Sequence, residues 1–256
     1  MEQRVIRLMW TGGWDSTFRL LILALNGNVC VQPYYIIDEG RGSLPLELEA
    51  MEKIRGMIYE RIRGSRDRIY DTLYFNRKDI APNACIQEKY RCFSNKKPIG
   101  TQYEWMAEFA CMKRLDALET GIIGMDGNIK YVLEDCVRVE DPDIGVYYKL
   151  PDNYSESSTI SIFKPFHFPL HKLSKAKLAD IARKNGTIDI LMQSWFCFTP
   201  IKGEPCGVCN PCNIAIKEGM SFRMPEKAIW RNNYRYAYIF LRKIRNYVKR
   251  KMNYNK

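Results

Sequence analysis

One stretch near the amino end constrains the chain more than any other: Met9-Trp10-Thr11-Gly12-Gly13-Trp14-Asp15-Ser16-Thr17. An apolar run, Val5 to Met9, comes just before it, and a helical pattern, Phe18 to Leu25, comes just after. That order predicts a strand entering a two-glycine turn, then a helix with Asp15, Ser16 and Thr17 in its first turn. Such a junction makes an anion site. Glycine lets the backbone approach an oxyanion, the first helical N–H groups point outward, and the helix dipole favours negative charge there. Thr11, Ser16 and Thr17 add hydroxyl donors. No lysine follows the glycines, so this is not the G-x-x-x-x-G-K-[ST] loop, and G-x-G-x-x-G does not fit either. The competing reading is an ordinary strand-to-helix turn that needed two glycines.

The rest of the chain supplies the sheet such a loop requires. Val29 to Ile37 reads as a buried parallel strand ending at Asp38, and ligands of open parallel sheets sit beyond the carboxyl ends of strands. Asp38 is thereby placed to face a nucleotide's ribose or adenine, or it is a solvated loop acid. Leu46 to Ile62 predicts a helix with a charged outer face, and Ile69 to Phe75 a third strand. Residues 76–100 form a long polar connection, either a lid over the site or a short helix around Ile86 to Cys92. Thr101 to Leu118 predicts a helix, then Gly121 to Met125 a short strand ending at Asp126, a second acid at a strand's carboxyl end. Residues 127–158 read as an excursion with a short hairpin, and Thr159 to Phe163 as strand-like. Ser174 is the expected N-cap of a helix through Lys184, stopped at Asn185-Gly186. Lys175 in that first turn opposes the helix dipole, so it either meets a phosphate or is a surface lysine. His167 and His171, the only histidines, lie near substrate or serve packing. Strands alternating with helices predict an α/β fold: a doubly wound, mainly parallel sheet with right-handed crossovers.

Cys197-x8-Cys206-x2-Cys209-x2-Cys212 is the second strong signal. Tight turns at Pro205-Cys206-Gly207 and Asn210-Pro211-Cys212 can aim three thiolates at one point, with Cys197 as the fourth. Four sulfurs suit a structural Zn²⁺ with no position left open for chemistry; an iron–sulfur cluster or a redox pair are the alternatives. The remaining five cysteines have no such spacing and read as small buried hydrophobes.

Charge is distributed unevenly. From Arg223 to Lys256 eleven Lys/Arg meet one acid, Glu226, so this tail carries nearly all of the net charge of +11. Its apolar residues recur at helical spacing. The tail is expected to be a basic amphipathic helix, packed on the body or on a dimer partner, or a surface for nucleic acid, anionic lipid or an acidic protein. No run of about 18 apolar residues occurs, so no membrane span is expected. With no secretory leader at its start, the chain is expected to be cytoplasmic. The expected divisions are a nucleotide-binding domain over 1–193, a metal-binding segment over 194–222 and the basic helical tail over 223–256.

The order hydroxyl-Gly-Gly-x-Asp-Ser in Thr11–Ser16 resembles the loop of the ATP pyrophosphatases, the PP-loop family, which share an adenine nucleotide alpha hydrolase-like fold. These enzymes hold the terminal pyrophosphate of ATP and transfer AMP to an acceptor oxygen. Taken with Pro169-Leu170-x-x-Leu173-Ser174-Lys175 and the four-cysteine run, the chain resembles the 7-cyano-7-deazaguanine synthases over roughly residues 4–220. That resemblance implies a homodimeric, zinc-containing, Mg-ATP-dependent ligase. Such an enzyme converts a 7-carboxy-7-deazaguanine-like acid to a nitrile with ammonia, through an adenylated carboxylate and an amide, in queuosine biosynthesis. It assigns Thr11, Gly12, Gly13, Asp15, Ser16 and Thr17 to the pyrophosphate, with Asp15 also beside Mg²⁺. Lys175 would neutralise the phosphates, Asp38 and Asp126 would flank nucleotide or acceptor, and Cys197, Cys206, Cys209 and Cys212 would bind zinc. Asp15, Ser16 and Lys175 are the expected catalytic residues.

The chain departs from that pattern where the base would be read. A Tyr-Pro-Asp-Cys-Arg run is replaced by Gly127-Asn128-Ile129-Lys130-Tyr131, and an Arg-Asn pair by residues in Gly100-Thr101-Gln102. Ala215 stands where arginine is usual, and acid-Tyr-Gly-Gln-Arg-His appears as Asp38-Glu39-Gly40-Arg41-Gly42-Ser43. A divergent member is expected, acting on this acid or, by the same adenylation, on a protein terminus or another small acid. The remaining alternative is a non-catalytic nucleotide-binding partner that docks through its basic tail.

Overall fold

The computed structural model describes residues 3–123 and 128–254. In chain order the elements are β1 (Val5–Met9), α1 (Trp14–Asn26), β2 (Cys30–Ile37), α2 (Leu44–Arg61), the single turn α3 (Ser65–Arg68) and β3 (Leu73–Asn76). Then come α4 (Ala84–Lys96), α5 (Gln102–Lys113), β4 (Leu118–Glu119), the short α6 (Lys130–Leu133), β5 (Val137–Asp141), β6 (Gly145–Lys149) and β7 (Phe166–His167). Last are α7 (Lys175–Lys184), α8 (Ile188–Leu191), α9 (Asn210–Lys217), α10 (Glu226–Asn233) and α11 (Arg235–Tyr254). They form two compact units. One runs to Glu39 and resumes over Glu47–Ser194; the other is Gly40–Leu46 with the chain from Trp195 on.

The first unit holds a five-stranded sheet in the order β3-β2-β1-β4-β7, every pair parallel, with helices flanking it. The order has a consequence for function. From β1 the chain winds outward through β2 to β3, then returns to the other side of β1 for β4 and β7. The winding therefore reverses between β1 and β4, and the crevice beyond the carboxyl ends of those two strands is where open α/β sheets bind ligands. The strands need no polar outer face because helices cover them: Leu8, Val31 and Leu118 are fully buried or nearly so. A large aromatic cluster, including Phe109, Phe163, Phe166 and Phe168, fills the space beside β4 and β7. The antiparallel pair β5–β6 is the hairpin expected within residues 127–158.

Four elements differ from the sequence expectation. The helix expected over Thr101 to Leu118 ends at Lys113, where Arg114 takes a left-handed cap (φ 52°). The next strand is therefore Leu118–Glu119, three residues before the expected Gly121 to Met125. Thr120 N–H still donates to His167 O, but Gly121–Ile123 leave the ladder. Asp126, expected at the end of that strand, lies outside the described residues. Thr159–Phe163 is a tight 3₁₀ turn, not a strand. Ser158 Oγ caps it, and its apolar residues are buried as part of a turn. The connection over 76–100, by contrast, follows one of its two expected readings: α4, capped by Asn83, spans Ile86 to Cys92 and buries Tyr90 and Phe93. The tail is two helices broken at Tyr234, not one. No described helix is long and apolar enough to cross a membrane.

Candidate nucleotide site and metal centre

The glycine loop leaves β1 at the reversal point. Trp10 N–H extends the β1–β2 ladder by donating to Tyr34 O at 3.0 Å, and the chain then turns away. Gly12 makes that turn at φ +65°, a region that L side chains rarely adopt. It is also pressed on α2: a Cβ there would lie 2.8 Å from Met51 Cγ and 3.1 Å from Glu47 O. Gly13 is the N-cap of α1, and no side chain caps this helix end. The first intrahelical bond at this end runs from Thr17 N–H to Gly13 O. The amides ahead of it belong to the first turn of α1, at the positive end of the helix dipole.

The hydroxyls brace this loop. Thr11 N–H donates to Ser16 Oγ at 3.2 Å, the Thr11 and Ser16 hydroxyls lie 3.3 Å apart, and Ser16 Oγ–H donates to Gly13 O at 3.4 Å. Thr17 is fully buried, and its Oγ1 accepts from Trp10 Nε1 at 3.1 Å. Thr17 therefore tensions the loop from below, while Thr11 is exposed at its rim and Asp15 is partly exposed.

The segment after β4 closes the other wall, a feature sequence reading missed. A Cβ on Gly121 would sit 2.7 Å from Ser16 N and 3.0 Å from Ser16 Cα, so only glycine lets these two backbones touch. One turn into α1, Arg19 is held by Glu119 from the end of β4. A glycine directly after a strand was the available sign; the buried pairing had none.

The remaining expected site residues are dispersed. Asp38, at the end of β2, is partly exposed and accepts from Arg77 Nη1 at 3.3 Å; the guanidinium of Arg77 also lies 5.9 Å from the Trp105 ring centre. Glu39 beside it pairs with Lys78 at 3.0 Å. Lys175 opens α7, partly exposed, behind Ser174, whose Oγ accepts Lys177 N–H; α7 packs on α1. His167 stacks on Tyr147 with ring centres 4.3 Å apart, and His171 meets Tyr148 edge-on at 4.6 Å. Burial, with Lys149 and Arg4 nearby, pushes the His167 imidazole down to about 4. Both histidines are thus packed against aromatic rings.

In the second unit the four predicted cysteines converge. Their sulfurs all lie within 4.8 Å of one another, with Cys206–Cys212 and Cys197–Cys209 each 3.9 Å apart. Sulfurs at ~2.3 Å from a tetrahedral ion would be separated by about 3.8 Å, so the spacing fits a metal such as zinc. All four are free thiols. Backbone amides orient the ligands: Val208 and Cys209 N–H donate to Cys206 Sγ at 3.3 and 3.2 Å, and Cys206 N–H to Cys197 Sγ at 3.2 Å. The sulfur–sulfur hydrogen bonds, that from Cys197 foremost, hold the Cys206 thiol well below its ordinary value.

The same loop carries the tail. Arg231 Nε donates to Cys206 O at 2.7 Å, Asn232 Nδ2 to Gly207 O at 2.7 Å, and Arg235 Nε to Val208 O at 3.0 Å. A Cβ at Gly207 would lie 1.9 Å from Ala228 O, so α10 rests directly on the cysteine loop. Arg231 of α10 and Arg235 of α11, two of the basic residues of the tail, are thus taken up together with Asn232 by carbonyls of the cysteine loop. No family model matches the chain, and no curated protein matches it.

Proposed function

We propose that this protein is an AMP-forming ATP pyrophosphatase that activates a carboxylate and replaces the activated oxygen with nitrogen, in the manner of a 7-cyano-7-deazaguanine synthase. One observation carries the reading: a two-glycine loop with an uncapped helix end lies where the parallel sheet reverses its winding. Triphosphate is the ligand chemistry such a junction suits.

A carboxylate does not yield to ammonia because its oxygen leaves poorly. Adenylation joins that oxygen to the α-phosphorus of ATP, the α–β bridging bond breaks, and pyrophosphate departs with the electron pair. Ammonia then attacks the acyl carbon, AMP leaves with the C–O pair, and the nitrogen loses a proton to water. A second adenylation, on the amide oxygen, would give the nitrile. The chain has to position the acid in line and steady the departing charge. Gly12, Gly13 and the amides opening α1 hold the outer phosphates, and the Ser16 hydroxyl fixes the loop's shape. Lys175 neutralises phosphate charge. Magnesium, with Asp15 as its neighbour, supplies further neutralisation when bound. Zinc on the four cysteines is structural, because four thiolates leave no open position. The replaced base-reading residues favour an acceptor acid other than the deazaguanine.

Pyrophosphate release from ATP, measured over a panel of carboxylic acids with ammonia, tests this. Ser16→Ala and Lys175→Ala should each slow release, and unchanged rates would reject their roles. Nucleotide binding without any turnover would leave a non-catalytic binder. A mass change on one acid identifies the acceptor.

A further inference from the structure

Helix α11 is long, basic and exposed along its apolar stripe. Tyr236, Phe240, Ile244 and Tyr247 recur at intervals of four, four and three and so fall on one face, which Leu241 widens. These five side chains are between 45% and 85% exposed, so among the described residues this face is largely open to solvent. Arg235–Tyr254 contains seven Lys/Arg and no acid. The helix is nonetheless firmly presented, because Arg231, Asn232 and Arg235 fasten its base to carbonyls of the cysteine loop.

We propose that α11 lies in the headgroup layer of an anionic lipid membrane, apolar stripe inward and basic side chains toward the lipid phosphates. This stands apart from the proposed chemistry. Three occupants could cover such a face, and charge and shape separate them. A second copy of α11 would bring two all-positive helices together with no carboxylate to offset them. A nucleic acid would satisfy the basic residues and leave Phe240, Leu241 and Ile244 in water. An anionic bilayer covers both at once. Tyr236 and Tyr247 also sit at the margin of the stripe beside Lys243, where a ring with a polar tip suits the boundary between acyl chains and headgroups. The helix is too polar to cross, consistent with lying on the surface.

Co-sedimentation of the full chain with vesicles tests the proposal. The chain should bind vesicles of phosphatidylcholine with about 30% phosphatidylserine, and not vesicles of phosphatidylcholine alone. Binding should weaken between about 0.1 and 0.5 M salt. Phe240→Ser with Leu241→Ser should lose at least about tenfold in vesicle affinity while keeping wild-type circular dichroism. Arg242→Glu with Lys243→Glu should lose a similar factor. No binding to the anionic vesicles, or equal binding to neutral ones, would overturn the proposal. So would tight binding to a single-stranded RNA probe that the serine pair leaves intact, or a dimer on gel filtration that the serine pair dissociates.

Discussion

The Arg19 guanidinium grips the Glu119 carboxylate with two hydrogen bonds, Nε to Oε2 at 2.7 Å and Nη2 to Oε1 at 2.6 Å. Both side chains are almost fully buried, and Arg19 Nη1 also donates to Ile144 O at 3.1 Å. One pair thus joins the helix behind the glycine loop, the end of β4 and the turn of the β5–β6 hairpin. Removing one partner strands the other charge away from water. Arg19→Ala or Glu119→Ala should therefore each destabilise the protein by about 3–5 kcal/mol. The double replacement Arg19→Leu with Glu119→Leu should cost clearly less than the two singles combined. Urea unfolding of the four proteins checks this; single variants within about 1 kcal/mol of wild type would show that the pair is not holding these elements.

That pairing also explains what the sequence could and could not disclose. The glycine loop, β1, α1 and β2 were legible because a strand, two glycines and an amphipathic helix follow one another locally. The cysteine centre was legible because its spacing is itself the geometry. Glu119 was not, because a charged residue in a two-residue strand looks like loop until its partner, a hundred positions away, is known. Thr159–Phe163 misled for the opposite reason: its apolar residues are buried by long-range packing, and alternation along the chain says nothing of the backbone that carries them. The clamp of Arg231, Asn232 and Arg235 on the cysteine loop was hidden in the same way, since its acceptors are backbone carbonyls, which every sequence has.

Gly121 should be intolerant of any side chain. The nearest atoms to an added Cβ are backbone, at Ser16 N and Ser16 Cα, so they cannot swing aside as a flexible side chain would. Gly121→Ala is expected to displace the first turn of α1 and to weaken nucleotide binding at least about tenfold, equivalent to about 1.4 kcal/mol. Gly42→Ala, which meets nothing within 4 Å, should leave binding unchanged. Calorimetric titration with ATP distinguishes the two; equal affinities would mean that this close approach does not shape the proposed nucleotide site.

Metal removal should loosen the tail before it affects the sheet. The purified chain is expected to hold about one zinc ion and to show no iron–sulfur absorption. Stripping that ion, or making Cys206→Ser, removes the restraint on the loop whose carbonyls receive Arg231, Asn232 and Arg235. Amide hydrogen exchange should rise across α10 while β1 and β2 stay protected. Unchanged exchange in α10 after complete zinc loss would show that the loop holds its shape without the ion.

His167 gives the protein a defined sensitivity to acid. Its imidazole is buried against Tyr147, and burial, Lys149 and Arg4 together keep it neutral down to about 4. In the unfolded chain the same group takes a proton near its ordinary value of about 6.5. Between those values the unfolded state binds more protons than the folded one, so stability must fall as pH drops from about 6.5 to about 4. The loss from this one residue can reach about 3 kcal/mol, at roughly 1.4 kcal/mol for each pH unit crossed. Carboxylates contribute a slope of their own, so the comparison that isolates His167 is with His167→Phe, which keeps a ring against Tyr147 and has nothing to protonate. Chemical unfolding of both proteins at intervals through that window should give curves that converge or cross as pH falls, the phenylalanine variant losing less. Parallel curves would mean that the buried imidazole accepts its proton without unfolding.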